Sequence, residues 1–387
     1  MREEQLLSEQ DYTHLFPISE KMVFLNHAAV APISGPSADA MRGYADQAAE
    51  AAYVGSGWYS HKIDNVRDVA AKLINAQGRE EIAFIPNTTT GLAMVANGLE
   101  WNEGDSVVIS NVEYPANRYP WENLAKTKGV KLIEVKQRDD SRIHVEDVLN
   151  VIEDSTRVVS LSHVQFASGH RIDLKPVSDA IHAKGGYLCV DGIQSVGVLP
   201  VDVQALGIDF LSADGHKWML APEGLGIFYC KKDLAEKLYP TVVGWMNMED
   251  ADNYGNYQFE LLKDARRFEP GSTNVAGVLG MGASLELILK VGVETIWKRV
   301  DALLAIAERG LIEKGYKVFS PRDVESERSG ILIFEVPGKP EMHAKIVGDL
   351  EKAGVVIALR EGRLRVSPHF YNTAEHIAKF VDALPEV

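Results

Sequence analysis

One lysine stands in a place that needs explaining. Asp214-Gly215-His216-Lys217-Trp218 is a tight polar turn between two apolar strand patterns, 208–211 and 225–230. Burial disfavours an ammonium, so a lysine held between buried strands shifts toward the neutral amine. A neutral amine attacks carbonyls, which is what a Schiff-base lysine must do. A surface lysine at a hairpin mouth is the plain alternative. Asp191 closes a second apolar run, Gly186-Tyr187-Leu188-Cys189-Val190. Ligands of open α/β sheets sit beyond the C-terminal ends of the strands. An aspartate there can pair with a cationic ring nitrogen, the partner that pyridoxal phosphate requires to act as an electron sink. A helix N-cap is the structural alternative for Asp191.

A third stretch suits an anion. Strand 82–86 leads into Asn87-Thr88-Thr89-Thr90-Gly91 and then a helix over 92–99. Free N–H groups and the dipole at a helix start favour phosphate, although threonines there also serve as plain caps.

The elements that must hold these groups alternate. Strands are predicted at 82–86, 105–110, 130–136, 157–166, 186–190, 208–211 and 225–230, with helices at 36–53, 60–75, 92–99, 144–152 and 176–184. Strand–helix alternation predicts a mainly parallel, doubly wound sheet with right-handed crossovers. Residues 239–264 are irregular, the pattern of a lid or interface segment. From Gly280 a long helical pattern, interrupted near Gly292, gives way to short strands and helices, predicting a small α+β domain.

Composition sets limits. The chain has 387 residues, enough for two domains with a large shared core. Its net charge of −15 argues against nucleic acid, which needs a basic face. No apolar run is long enough to span a bilayer and the acidic, polar start is no signal peptide, so no membrane partner is expected. The two cysteines, Cys189 and Cys230, lie in apolar strand patterns, which fits a reducing cytoplasm. No metal site is expected.

The run from Val190 to Tyr229 resembles the class V aminotransferase group of fold type I pyridoxal-phosphate enzymes. The cysteine desulfurase and selenocysteine lyase branch is the most similar. The likeness rests on Val-Asp-Gly-Ile-Gln at 190–194, Val-Asp-Val-Gln-Ala-Leu-Gly-Ile-Asp-Phe at 201–210 and Gly-His-Lys at 215–217, and it extends over roughly 25–371. The resemblance implies an α/β fold of type I, with a mainly parallel seven-stranded-type sheet, helices on both faces and a small α+β C-terminal domain. The implied divisions are an N-terminal lead, 1–20, a large cofactor domain, 21–275, and a small domain, 276–387.

The resemblance also implies roles. Lys217 would form the internal aldimine and then act as general base, and Asp191 would keep the ring nitrogen protonated. Gln194 would bond the ring hydroxylate oxygen. Thr88, Thr89 and His216 would hold the phosphate, joined by Ser272 of the partner subunit with Thr273 beside it. The assembly implied is a homodimer with a shared active site. Tyr114 takes the stacking position after Glu113, where family members can carry an imidazole. Arg365 would grip the substrate α-carboxylate, with Arg360 as a second candidate and Arg363 facing solvent. His27 is expected to face substrate, with a structural histidine as the alternative.

Four departures stand out. Asp214 occupies the place of a family serine near the phosphate, so its carboxylate should point away or bond backbone N–H groups. Phe166 stands where the desulfurase branch has an asparagine, with Gln165 as a possible substitute. Tyr114 gives up the imidazole. The mobile loop cysteine of desulfurases is missing: Ala358-Leu359-Arg360 runs straight into Glu361-Gly362-Arg363. The expected function is a pyridoxal-phosphate enzyme acting on a small amino acid through an external aldimine and quinonoid. C–S or C–Se lyase chemistry without a protein persulfide comes first. Transamination and epimerisation are alternatives, and a non-catalytic scaffold is the reading of another class.

Overall fold

The computed structural model describes residues 10–52, 54 and 56–387. The first nine residues of the expected N-terminal lead lie outside the described residues, as do Tyr53 and Gly55, where a helix break was expected. Within the lead, Thr13–Leu15 and Pro17–Glu20 are short 3-10 turns. Phe16 stacks on Tyr371 at 3.9 Å, and Tyr12 meets Phe370 edge-on.

The central sheet has seven strands: β2 (Ile82–Ile85), β3 (Ser106–Ser110), β4 (Lys131–Val135), β5 (Thr156–Ser162), β6 (Tyr187–Asp191), β7 (Phe210–Asp214) and β8 (Gly226–Cys230). Their order is β2-β8-β7-β6-β5-β3-β4. β8 runs antiparallel to both neighbours, and the remaining pairs are parallel. Every residue of β2, β3, β7 and β8 is buried, as expected of strands covered on both faces. The helices on this sheet are α1 (Gly35–Ala51), α2 (Ser56–Leu73), α3 (Thr88–Gly98), α4 (Tyr119–Lys128), α5 (Val145–Leu149), α6 (Leu174–Ala183) and α7 (Val275–Val291).

Three boundaries differ from the sequence reading in ways that matter. β7 continues to Asp214 instead of ending at Leu211, so the polar turn begins at Gly215. α3 starts at Thr88, which makes Thr88 and Thr89 its first turn and not a lead into it. β5 stops at Ser162, and the polar run that follows bends back through a bridge from Val164 to Arg171.

α7 packs against α1 and α2. At Gly292 the chain turns by 79° into α8 (Val293–Glu313). Gly292 has φ 88°, a conformation that costs an L side chain energy. The expected boundary at 275/276 falls at the start of α7. Beyond α8 lies an antiparallel four-stranded sheet ordered β12 (Ala358–Arg360), β13 (Arg363–Val366), β10 (Leu332–Glu335), β9 (Lys317–Val318). β1 (Val23–Phe24) pairs in parallel with β11 (Val355–Val356), tying the start of the chain to this C-terminal body. Among the described residues no single helix is long and apolar enough to cross a membrane.

Candidate active site

Parallel strands end together, and their C-terminal loops open on one cavity of about 300 Å3. Asp191 and Asp214 line it from the last positions of β6 and β7, and Gln194, His216 and Lys217 from the loops that follow. Thr88 and Thr89 come from α3. Tyr114, Ala116 and Phe166 form another wall, and Arg360 and Arg365 reach in from the β12–β13 hairpin.

Lys217 is buried. Its amine is pulled below the ordinary lysine range, first by burial; Asp191 opposes that shift, while Arg365 and Arg360 add to it. Asp191 moves the other way. Burial raises its carboxyl above the usual range, and the Glu113 carboxylate nearby raises it further. Asp191 Oδ1 accepts the Ile193 N–H at 3.0 Å. Its Oδ2 is buried with no hydrogen-bond partner among the described residues. Buried polar atoms are rarely left unpaired without a role.

At the start of α3, Asn87 caps the Thr90 N–H. The N–H groups of Thr88 and Thr89 face no acceptor among the described residues. Thr88 Oγ1 accepts the Asp214 N–H at 2.9 Å and Ser212 Oγ donates to the Thr88 carbonyl, which clamps the helix start onto β7. Gln194 donates to the Ala28 carbonyl at 3.1 Å and accepts from Trp218 Nε1 at 2.9 Å, which leaves one amide hydrogen for a ligand.

Arg365 is fully buried, yet no carboxylate pairs with it among the described residues. Its contacts are long bonds to the Phe166 carbonyl at 3.5 Å and Asn26 Oδ1 at 3.4 Å, and its Nε has no partner. Burial lowers it to about 9, helped by Arg360. An internal salt bridge, the structural alternative for a buried arginine, is not found among the described residues.

Several expectations are corrected. His27 does not line the cavity. It is wholly buried, with Nδ1 2.9 Å from the Ser367 carbonyl and Nε2 2.9 Å from the Tyr371 hydroxyl. It is a core histidine, because the loop after β1 turns its ring into the C-terminal body. Asp214 neither points away from the cavity nor bonds a backbone N–H. Its Oδ1 lies 2.9 Å from His216 Nδ1, and both residues stand in the cavity wall. Gln165 does not replace the missing asparagine: its Nε2 donates to Glu113 at 3.0 Å, while Phe166 takes the cavity position. Arg363 is not simply solvated; it pairs with Glu335 at 2.8 Å and covers the Phe319 ring. Ser272 and Thr273, expected to serve the partner's site, lie outside this chain's own Lys217 cavity, in a separate depression with Pro86 and Gly224, which leaves that expectation as it stands.

Sequence reasoning missed Glu113 as more than a motif residue. Its carboxylate is buried and accepts from the Ser110 hydroxyl, Asn117, Gln165, and both the N–H and hydroxyl of Ser162. Ser162 is the register partner of Asp191. Glu113 thus fixes the end of β5 beside Asp191 and anchors Tyr114, its neighbour. An acid three residues past an apolar strand was the available signal. Trp218 and His369 were also missed: His369 accepts the Phe370 N–H on Nδ1, so Nε2 carries the hydrogen that meets the Trp218 carbonyl at 3.0 Å.

The donor set fits pyridoxal phosphate. The unpaired Asp191 Oδ2 suits a protonated ring nitrogen, the helix start suits a phosphate, and the depressed Lys217 amine suits an aldehyde.

Comparison with known proteins agrees. Residues 23–380 match the family described as aminotransferase class-V. The chain is 30% identical to a probable cysteine desulfurase of Methanothermobacter thermautotrophicus, over 98% of each chain. It superposes on the apo cysteine desulfurase of Thermococcus onnurineus NA1 with a TM-score of 0.87 at 25% identity, covering 97% of each chain. It also shares its fold with a variant of C-DES in which glycine is covalently linked to the PLP cofactor, with a TM-score of 0.88 at 22% identity, over 96% of this chain and 98% of that one. A lysine with a depressed amine, set among an orphaned acid, a helix start and a buried arginine, therefore has its explanation: the chain belongs to the class-V aminotransferase family and is a cysteine desulfurase-like enzyme that uses pyridoxal 5'-phosphate.

Proposed function

We propose that the enzyme cleaves the C–S (or C–Se) bond of a small amino acid and releases sulfur as free sulfide or on a small molecule, without forming a persulfide on its own chain. The observation that carries this reading is the pairing of two buried cysteines with a closed hairpin. Cys189 and Cys230 are the chain's two cysteines, and both are buried inside β6 and β8. Burial pushes both thiols up, away from the reactive thiolate. The segment where desulfurases carry a mobile cysteine is a two-residue turn, Glu361-Gly362, with φ of 46° and 75°.

In this reading Thr88, Thr89 and His216 would hold the cofactor phosphate, Asp191 its ring nitrogen, Gln194 its hydroxylate oxygen and Lys217 its aldehyde carbon. Bound there, the cofactor supplies an electron sink for the carbanion left at the α-carbon. Tyr114 covers the cavity with an aromatic face. Arg365 takes the α-carboxylate in a charge-assisted fork. The Lys217 amine removes the α-proton, and its depressed proton affinity leaves it neutral enough to do so. For cysteine the balance is cysteine plus water giving pyruvate, ammonia and hydrogen sulfide, with no oxidant or thiol acceptor required. The irregular 239–264 segment exposes Trp245, Tyr254, Tyr257 and Phe259, and Ser272 and Thr273 face outward in their own depression, which supports a two-fold homodimer with a shared site.

The test is turnover of L-cysteine by the cofactor-loaded protein, with sulfide, pyruvate, alanine and D-cysteine measured together. Sulfide and pyruvate in equal amounts are expected. Alanine accompanied by a persulfide on Cys189 or Cys230 would overturn the reading, and a keto acid without sulfide or the D-isomer alone would assign transamination or epimerisation instead. Borohydride reduction should leave the cofactor on Lys217.

A further inference from the structure

We propose that Trp218 is a positioning residue of the cofactor site: its indole N–H sets and polarises the Gln194 amide, so that this amide offers a donor, and not its carbonyl, to the cofactor's ring oxygen. The proposal rests on the placement of Gln194 at that oxygen given above. An indole nitrogen donates and never accepts, so the Gln194 atom 2.9 Å from Trp218 Nε1 is the amide oxygen. The Ala28 carbonyl accepts and never donates, so it takes one hydrogen of Gln194 Nε2, at 3.1 Å. The two contacts agree on one orientation of the amide. The second Nε2 hydrogen is the group left for the cavity, whose wall includes Gln194. An N–H aimed at an amide oxygen also draws electrons from the amide nitrogen, which makes its remaining hydrogen a stronger donor.

Trp218 is itself held in place. Its side chain is fully buried. A Cβ at Gly330, just ahead of β10, would come within 2.5 Å of the far end of the indole, and one at Gly197 would meet the Trp218 carbonyl oxygen at 2.4 Å. That carbonyl accepts the His369 Nε2 hydrogen at 3.0 Å, and the His369 ring lies 5.6 Å from the indole. The indole is thus wedged between the turn that bears it and the C-terminal body, with little room to rotate its N–H away from Gln194. Lys217 directly precedes Trp218, so one short turn carries the amine that lines the cavity and the donor that stands behind Gln194. Trp218 acts through Gln194 and touches no ligand itself.

The experiment reads the pH midpoint at which the visible band of the cofactor-loaded protein changes, as the proton held between the Lys217 nitrogen and the ring oxygen is lost. A donor at the ring oxygen shares its electrons and loosens that proton, so losing the donor raises the midpoint. Trp218→Phe keeps an aromatic ring and removes the N–H. Its midpoint should rise by about 0.5–1 pH unit, the scale of a weakened hydrogen bond to a charged oxygen. Gln194→Ala should raise the midpoint at least as far. The double variant should go no further than Gln194→Ala alone, because both changes act through one contact. Cofactor content and thermal midpoint report that each variant is folded and loaded. If Trp218→Phe fails to fold, benzothienylalanine placed at 218, where sulfur replaces the indole N–H at nearly the same volume, carries the same expectation. A parent-like midpoint without the N–H, beside a raised midpoint in Gln194→Ala, would overturn the proposal. So would additive shifts in the double variant, which would mean that Trp218 acts by another route. An unshifted Gln194→Ala would overturn the placement of Gln194 at the ring oxygen and the proposal with it, so the two failures are distinguishable.

Discussion

Lys217 Nζ sits 5.5 Å from the centroid of the Tyr114 ring. Tyr114 itself is half exposed and meets Phe166 edge-on at 5.2 Å. The ring therefore closes one side of the cavity while its own position depends on a neighbour and on the Glu113 anchor behind it.

Tyr114→Ala should loosen the cofactor by about 1 kcal/mol, the usual worth of an aromatic contact, or a few-fold to tenfold in dissociation constant. Tyr114→Phe should retain cofactor like the parent. Equilibrium dialysis against cofactor, followed by the visible band, separates the two. Equal retention by all three proteins would remove the ring from the binding surface.

Glu113→Gln should cost about 2–4 kcal/mol of stability, because a carboxylate that accepts five hydrogen bonds is replaced by an amide that meets the Asn117 and Gln165 amides donor to donor. The midpoint of urea unfolding measures it. A change under 0.5 kcal/mol would mean that the network is not held by this charge.

Acid should weaken the fold through its buried histidines. His369 is lowered to about 4 and His27 well below the ordinary histidine range, chiefly by burial, with each ring in the neutral form. Their unfolded counterparts titrate near 6.5. Between these values the unfolded chain binds more protons, so stability is fully present above about pH 6.5 and is lost as pH falls toward 4. His369→Gln should flatten the fall of thermal midpoint across that window, although it is less stable at pH 8. A variant with the parent's slope would show that other groups dominate the acid transition.

Gly91→Ala probes the clamp between α3 and β7. A Cβ at this position would meet Ser212 Cβ at 2.8 Å and the Phe228 ring at 3.0 Å. The expected cost is about 1–3 kcal/mol from overpacking, with weaker cofactor retention because Thr88 and Thr89 must shift with the helix start. Calorimetry and cofactor release would be read together; unchanged values for both would show that the sheet gives way freely.

Cys189 and Cys230 should resist an aromatic disulfide reagent in the folded protein and react within seconds in urea, a difference of at least roughly 100-fold given their burial. The Cys189→Ala, Cys230→Ala double variant should keep its turnover and lose on the order of 1 kcal/mol per site. Rapid labelling of the native protein at either thiol would contradict the packing.

The sequence by itself determined what depends on local pattern. Strand–helix alternation announced the parallel sheet, and the acid at the end of β6 and the lysine in the turn after β7 announced a ligand edge, because both are read from a strand's apolar run and the polar residue that ends it. The Glu361-Gly362 turn was legible for the same reason. The tertiary structure decided whatever depends on partners far apart in the chain. Whether Arg365 had a salt bridge was settled by the lack of a carboxylate partner among the described residues, and whether His27 faced substrate was settled by Ser367 and Tyr371, which close on it from the far end of the chain. The antiparallel setting of β8 and the five bonds on Glu113 belong to the same class. A side chain's type states which partners it needs; only the packing of distant strands states whether it has found them.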